Sequence, residues 1–151
     1  MSELKDRLQS DLTTAMRGRD ELTTATLRMA LAAITTEEVA GSSVRELSDD
    51  EVLKVLAREA KKRREAAEAF TSAGRAELAE RETAEGGVLD RYLPRQLDDA
   101  AIAALVAEAV AETGATGMPQ MGAVMKVAQA KAAGRADGKR LSTEVRRQLA
   151  G

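Results

Sequence analysis

The chain has 151 residues, with 23 basic and 25 acidic side chains and a formal net charge of −2. It contains no cysteine and no histidine, which excludes disulfides, thiolate zinc sites and catalytic triads of the Ser-His or Cys-His type. Phe70 and Tyr92 are its only aromatic residues, so that a core has to be built from aliphatic side chains and alanine.

The composition favours a helical protein away from membranes. Alanine is abundant and there are only two prolines, a combination that suits helices. No run approaches the roughly 20 apolar residues that cross a bilayer, and the first ten residues lack the apolar block of a secretory signal. We therefore expect a soluble, cytoplasmic protein with no membrane partner.

Two helices are predicted at the start of the chain. The first begins near Ser2 and ends at Gly18, a residue type that commonly follows a helix. Its apolar face consists of Leu4, Leu8, Leu12, Ala15 and Met16. Asp20 can cap the second helix, which fades near Gly41.

Two more helices are predicted before a domain boundary. Ser48 and Glu51 form a capping box, which predicts the start of the third helix. The apolar stripe of this helix consists of Leu53, Leu56, Ala60, Ala67 and Phe70. Gly74 separates it from the fourth helix, and Pro94 forces the residue before it out of the helical region. We place the boundary at residues 94–97, which gives domains of residues 1–95 and 96–151.

Three helices are predicted in the second domain. Asp98 can cap the fifth helix, which Gly114 and Gly117 end, and Asp137 can cap the short last helix. The apolar stripes are Ile102, Leu105, Val106, Ala109 and Val110, then Met121, Val124, Met125, Ala128 and Ala132, then Leu141, Val145 and Leu149. Gly122 is expected to permit close helix packing. Because no segment shows a period of two, the predicted fold is all-α.

Charge is distributed unevenly along the chain. Residues 121–151 contain seven basic and two acidic residues and carry +5, whereas residues 97–120 carry −4 and residues 1–96 carry −3. A basic module beside an acidic body is typical of a surface that contacts RNA, and an ordinary solvated pair of helices is the alternative. The candidate phosphate contacts are Lys126, Lys131, Arg135, Lys139, Arg140, Arg146 and Arg147.

Two other charged clusters have structural interpretations. The run of four basic residues at 61–64 lies in a helix, so that its charges point in several directions. Glu65 and Glu68 are spaced to pair with this run, and a second contact with nucleic acid or protein is the alternative. The four glutamates between Glu77 and Glu85 lack the histidine of helical metal bundles, and we predict a solvated face there. No metal, cofactor or catalytic residue is predicted.

The order of several short motifs resembles the GatB/YqeY family over essentially the whole chain. The residues that carry the resemblance are Leu27-Arg28, Lys61-Lys62-Arg63-Arg64-Glu65, Gly74-Arg75, Glu77-Leu78-Ala79, Glu82, Glu85, Tyr92-Leu93-Pro94, Gln96-Leu97, Met121-Gly122-Ala123-Val124-Met125-Lys126 and Gly134-Arg135-Ala136-Asp137-Gly138. Each motif is weak alone, but their order and spacing are specific. The resemblance implies two helical domains, of four and three helices, joined near Tyr92-Leu93-Pro94.

The same resemblance implies a role in tRNA amidation. The C-terminal module is similar to the tail of the B subunit of the tRNA-dependent amidotransferase, which converts mischarged Glu-tRNA(Gln) or Asp-tRNA(Asn) to the amide with glutamine as nitrogen donor. Family members commonly carry the label of a carbon–nitrogen ligase, but the ATP-using catalytic part of that subunit has no counterpart here. We expect a tRNA-binding accessory protein that is not catalytic alone. The alternative is a module that docks on an amidotransferase or an aminoacyl-tRNA synthetase without touching RNA.

Overall fold

The computed structural model describes residues 2–151, and these residues form seven α-helices, one short 3₁₀ turn and no strand. The prediction of an all-α fold is confirmed. The chain divides into two compact units, one that ends at Leu93 and one that begins at Pro94. Among the described residues, no single helix is long and apolar enough to cross a membrane. The segments Asp99–Thr113 and Met118–Ala132 meet the length and hydropathy requirements only when taken together, and they are bent by 95° relative to each other.

The first unit contains four helices: α1 (Glu3–Arg17), α2 (Glu21–Glu38), α3 (Asp49–Ser72) and α4 (Ala76–Asp90). Ser2 and Asp20 cap α1 and α2, and the capping box of Ser48 and Glu51 begins α3, as predicted. Gly74 has a φ of +73°, in the left-handed region that glycine enters without strain, and it turns the chain between α3 and α4.

Aliphatic side chains from all four helices, together with Leu47 of the connection between α2 and α3, form the core of the first unit: Leu8, Leu27, Ala30, Ile34, Leu47, Val52, Val55, Leu56, Ala60, Val88 and Leu89. Two details of the predicted faces are wrong. Met16 is 49% exposed, because Ala15 occupies the buried position at the end of α1. In α3 the core-facing stripe begins with Val52 and Val55, and Leu53 is only half-buried.

The second unit contains α5 (Asp99–Thr113), a 3₁₀ turn (Met118–Gln120), α6 (Met121–Ala132) and α7 (Gly138–Ala150). Asp98 and Asp137 accept hydrogen bonds of 2.8 Å from the main chain three residues on, and so cap α5 and α7 as predicted. The core of this unit consists of Ile102, Val106, Ala109, Val124, Ala128, Ala132, Leu141 and Val145. These residues belong to the stripes predicted from the sequence.

Candidate nucleic-acid interface

Three of the seven predicted phosphate contacts are unpaired. Lys126 of α6 and Lys139 and Arg146 of α7 are exposed, and none of them forms an ion pair or a side-chain hydrogen bond with any residue that the structure describes. Lys139 and Arg146 are seven residues apart, so they lie on one face of α7 and about 10 Å apart along its axis. These side chains can approach a phosphate without giving up a protein partner.

Two of the seven predicted phosphate contacts donate hydrogen bonds to main-chain carbonyl groups. Arg135 Nε donates to the carbonyl oxygen of Arg95 at 3.1 Å, and the carbonyl of Arg135 accepts from Leu97 N at 2.8 Å. Arg140 donates to the carbonyl of Leu97 and to Asp99 Oδ1, both at 2.9 Å. These bonds tie the segment before α5 to the end of the α6–α7 loop and to the first turn of α7. A local sequence pattern gives no signal of such a contact, because the partners are about 40 residues apart.

The last two of the seven are paired with carboxylates. Lys131 Nζ lies 2.7 Å from Glu112 and 3.5 Å from Glu108, both on α5. The hydrogen bond to Glu112 raises the pKa of Lys131. Arg147 Nε lies 2.6 Å from Glu144 Oε1, and this bond raises the pKa of Arg147 and lowers that of Glu144. Each of these cations already has its counter-charge.

Five of the seven basic side chains lie at two places beside α5, and Arg135 and Arg146 line neither of them. An open cleft of about 540 Å³ between α5 and α7 is lined by Asp99, Ile102, Lys139, Arg140, Thr143, Glu144 and Arg147. A shallow groove of about 650 Å³ between α5 and α6 is lined by Glu112, Thr113, Ala123, Lys126, Val127, Ala130 and Lys131. Asp99 and Glu112 stand about 20 Å apart along α5, since each residue of a helix rises 1.5 Å. The cleft and the groove are therefore separate contact points.

The solvent-facing side of α6 carries small residues around its unpaired lysine. Gly122, Lys126 and Ala130 recur every four residues and are all exposed. A Cβ added at Gly122 would meet no atom within 4 Å, so the prediction that Gly122 permits close helix packing is wrong. The absence of bulky neighbours leaves Lys126 accessible to a large ligand.

The family of the chain follows from a comparison of its whole sequence with known families. The model of the YqeY family, described as Yqey-like protein, matches residues 5–149. The chain belongs to the YqeY-like family. The match covers α1 to α7, and so it includes both the cleft and the groove. No curated protein matches the chain.

Three α5 carboxylates of this YqeY-like protein form ion pairs that helical spacing does not predict. Asp99, Glu108 and Glu112 each lie against a basic residue of α6 or α7. The signal that could have revealed them is the adjacency of the −4 segment, 97–120, to the +5 segment that follows it.

The basic run of α3 is paired differently from the prediction. Lys62 Nζ lies 3.0 Å from Glu59, one turn earlier in the helix. Arg63 points at α4 instead of solvent and is mostly buried. The predicted pairs with Glu65 and Glu68 are wrong, because among the described residues the run forms its ion pairs with Glu59 of α3 and with Glu82 and Glu85 of α4.

The predicted solvated face of α4 is wrong for two of its four glutamates. The side chains of Glu82 and Glu85 are only 19% and 14% exposed, and they lie 3.6 Å and 3.5 Å from Arg63 of α3. Arg81 bridges Glu85 at 2.9 Å and Glu21 of α2 at 2.8 Å. This network joins α2, α3 and α4, which assigns it a structural role in the YqeY-like protein. Within residues 2–151 no group of three acidic side chains is placed to hold a metal ion.

Proposed function

We propose that this YqeY-like protein is a tRNA-binding accessory protein, related to glutamine-dependent tRNA amidotransfer by another enzyme and not catalytic alone. The observation that carries the proposal is the set of exposed, unpaired cations Lys126, Lys139 and Arg146 in the second unit. Lysine and arginine side chains that meet phosphates release counterions, and this release drives binding at low salt.

The chemistry of the second unit favours contact with the backbone of a folded RNA. Proteins that bind single strands stack bases on aromatic side chains, and both aromatic residues of this chain lie in the first unit. Tyr92 is occupied there, since its hydroxyl donates to Asp11 at 2.5 Å and its ring lies 4.6 Å from the Arg7 guanidinium carbon. The basic residues of the cleft and those of the groove lie about 20 Å apart along α5. This separation suits the broad surface of an RNA double helix.

The link to amidation is supported by the resemblance of the sequence motifs to the GatB/YqeY family, which implies a C-terminal module similar to the tail of the amidotransferase B subunit. In this proposal an amidotransferase or an aminoacyl-tRNA synthetase supplies the catalytic residues, and the YqeY-like protein supplies a tRNA contact. Docking on such an enzyme without RNA would call for a contiguous apolar patch. The exposed large apolar side chains of residues 2–151 belong instead to four different segments: Met16 of α1, Val39 and Val44 between α2 and α3, Leu78 of α4 and Met118 of the 3₁₀ turn.

A titration of bulk tRNA at two salt concentrations tests the proposal. Three phosphate contacts give a slope of about −2.7 in a plot of log affinity against log salt concentration, so that affinity falls about 40-fold between about 50 and 200 mM salt. Electrophoretic mobility of labelled tRNA gives the affinity at each concentration. Absence of a complex at the lower concentration, or an affinity that does not change with salt, contradicts the proposal.

A further inference from the structure

Helix α5 places carboxylates against cations that would otherwise be available to RNA. Glu112 and Glu108 lie 2.7 Å and 3.5 Å from Lys131 Nζ, and Asp99 lies 2.9 Å from Arg140 Nη2. Three of the four acidic residues in segment 97–120 are used in this way, and the fourth caps α5. The pairs occur at both ends of the helix, in the cleft and beside the groove.

We propose that the α5 carboxylates limit the affinity of this unit for RNA by competing with phosphates for Lys131 and Arg140. The inference rests on the tRNA-binding function proposed above and adds its regulation. RNA is then bound by the three unpaired cations. Lys131 and Arg140 could provide a fourth and a fifth phosphate contact, and the carboxylates reduce the binding free energy that these two contacts add.

The exposure of these pairs explains why they compete with RNA without blocking it. The side chains of Asp99, Glu108 and Glu112 are 99%, 67% and 55% exposed, and solvent screens such pairs strongly. A phosphate can therefore displace them, but it meets the repulsion of a nearby carboxylate. In the groove, Glu112 lines the same surface as Lys126, so its charge also opposes an RNA contact there.

The double variant E108Q/E112Q isolates this effect. Glutamine keeps the shape and helix propensity of glutamate, and Lys131 loses both counter-charges. We expect the slope against log salt to become steeper by about 0.9, the contribution of one phosphate, and the affinity for bulk tRNA to rise about 10-fold at about 50 mM salt.

The matched control is E37Q/E77Q in the first unit. It makes the same change in net charge outside the second unit, at the exposed Glu77 and at the half-buried Glu37, which forms an ion pair with Arg58 at 3.3 Å. We expect it to change tRNA affinity much less than E108Q/E112Q does. If the two double variants bind tRNA alike, net charge and not competition at Lys131 sets the affinity, and the inference is overturned.

The inference and the proposed function fail in different ways. If the unaltered protein binds tRNA with the expected salt dependence and E108Q/E112Q matches it, the inference alone is overturned. If neither protein binds tRNA at low salt, both are overturned.

A second measurement tests the competition without RNA. An amine-reactive reagent, followed by mass spectrometry, compares Lys131 with Lys126, which lies in the same helix and has no acidic partner. The hydrogen bond to Glu112 and the charges of Glu112 and Glu108 raise the pKa of Lys131. Glutamine removes both charges, so modification of Lys131 should increase in E108Q/E112Q, and modification of Lys126, which has no ion pair, should change much less. Equal modification of Lys131 in both proteins contradicts the inference, and circular dichroism checks that the helices are retained.

Discussion

The double variant K139Q/R146Q gives the sharpest test of the RNA-binding face. Both side chains lie on the exposed face of α7 and have no partner among the described residues. Their replacement therefore breaks no ion pair, and glutamine is a good helix former. A change in tRNA affinity can then be attributed to lost phosphate contacts and not to lost folding.

The size of the effect follows from the number of unpaired cations. Each phosphate contact contributes about 0.9 to the salt slope, so the loss of two contacts out of three should reduce the slope from about −2.7 to about −0.9. The fall in affinity between about 50 and 200 mM salt should shrink from about 40-fold to between 3- and 4-fold, as about 0.9 per contact implies. A tRNA titration at four salt concentrations in this range measures both values.

The control for this experiment is R17Q/K54Q, which removes one exposed arginine and one exposed lysine from the first unit. We expect the slope of this variant to remain at about −2.7. The assignment to α7 is refuted if K139Q/R146Q keeps the original slope, or if both variants weaken binding equally. The second result would mean that total charge governs binding wherever it lies.

Three further predictions concern stability and catalysis. Burial and the hydrogen bond to Asp11 raise the pKa of Tyr92 to about 12. Because Tyr92 is the only tyrosine, an ultraviolet titration measures this pKa directly. The variant D11N should lower the pKa of Tyr92. Since the pKa is raised, the stability from the neutral phenol is present below about pH 10 and is lost as the pH rises towards 12. Gly87→Ala should add about 1 kcal/mol to the free energy of unfolding in urea, because the new Cβ meets no atom within 4 Å, whereas Gly74→Ala should destabilise because its φ is +73°. With glutamine, ATP and mischarged tRNA, the protein alone should yield no amidated tRNA by chromatography, and amidated product would contradict an accessory role.

The helices could be predicted because their start signals are local. Ser2, Asp20, Ser48, Asp98 and Asp137 each accept a hydrogen bond from the main chain three residues later. Such a contact depends on the sequence of a single turn. The apolar stripes of α5, α6 and α7 are equally local, since a period of 3.6 residues identifies the buried face without knowledge of its partner.

The partners of the charged residues could not be predicted in the same way. Arg63 meets Glu82 and Glu85 across the consecutive helices α3 and α4, and Lys131 meets Glu112 across α6 and α5. Helical spacing shows which residues share a face, but it does not show which face packs against which. Partners one turn away can therefore be predicted from the sequence, whereas the carboxylates on the neighbouring helix cannot.

Whether a basic residue is paired or unpaired also determines how much residues 121–151 contribute to RNA affinity. A charge contributes fully to RNA affinity only when it has no competing counter-charge in the protein. All seven cations of residues 121–151 would give a salt slope of about −6.3, and affinity would fall several thousand-fold between about 50 and 200 mM salt. The three unpaired cations alone give a salt slope of about −2.7 and a fall in affinity of about 40-fold over the same range of salt concentration. The slope measured on the unaltered protein therefore reports how many of its cations reach phosphates, and a slope of about −4.5, which corresponds to five contacts, would mean that RNA displaces the carboxylates of α5 from Lys131 and Arg140.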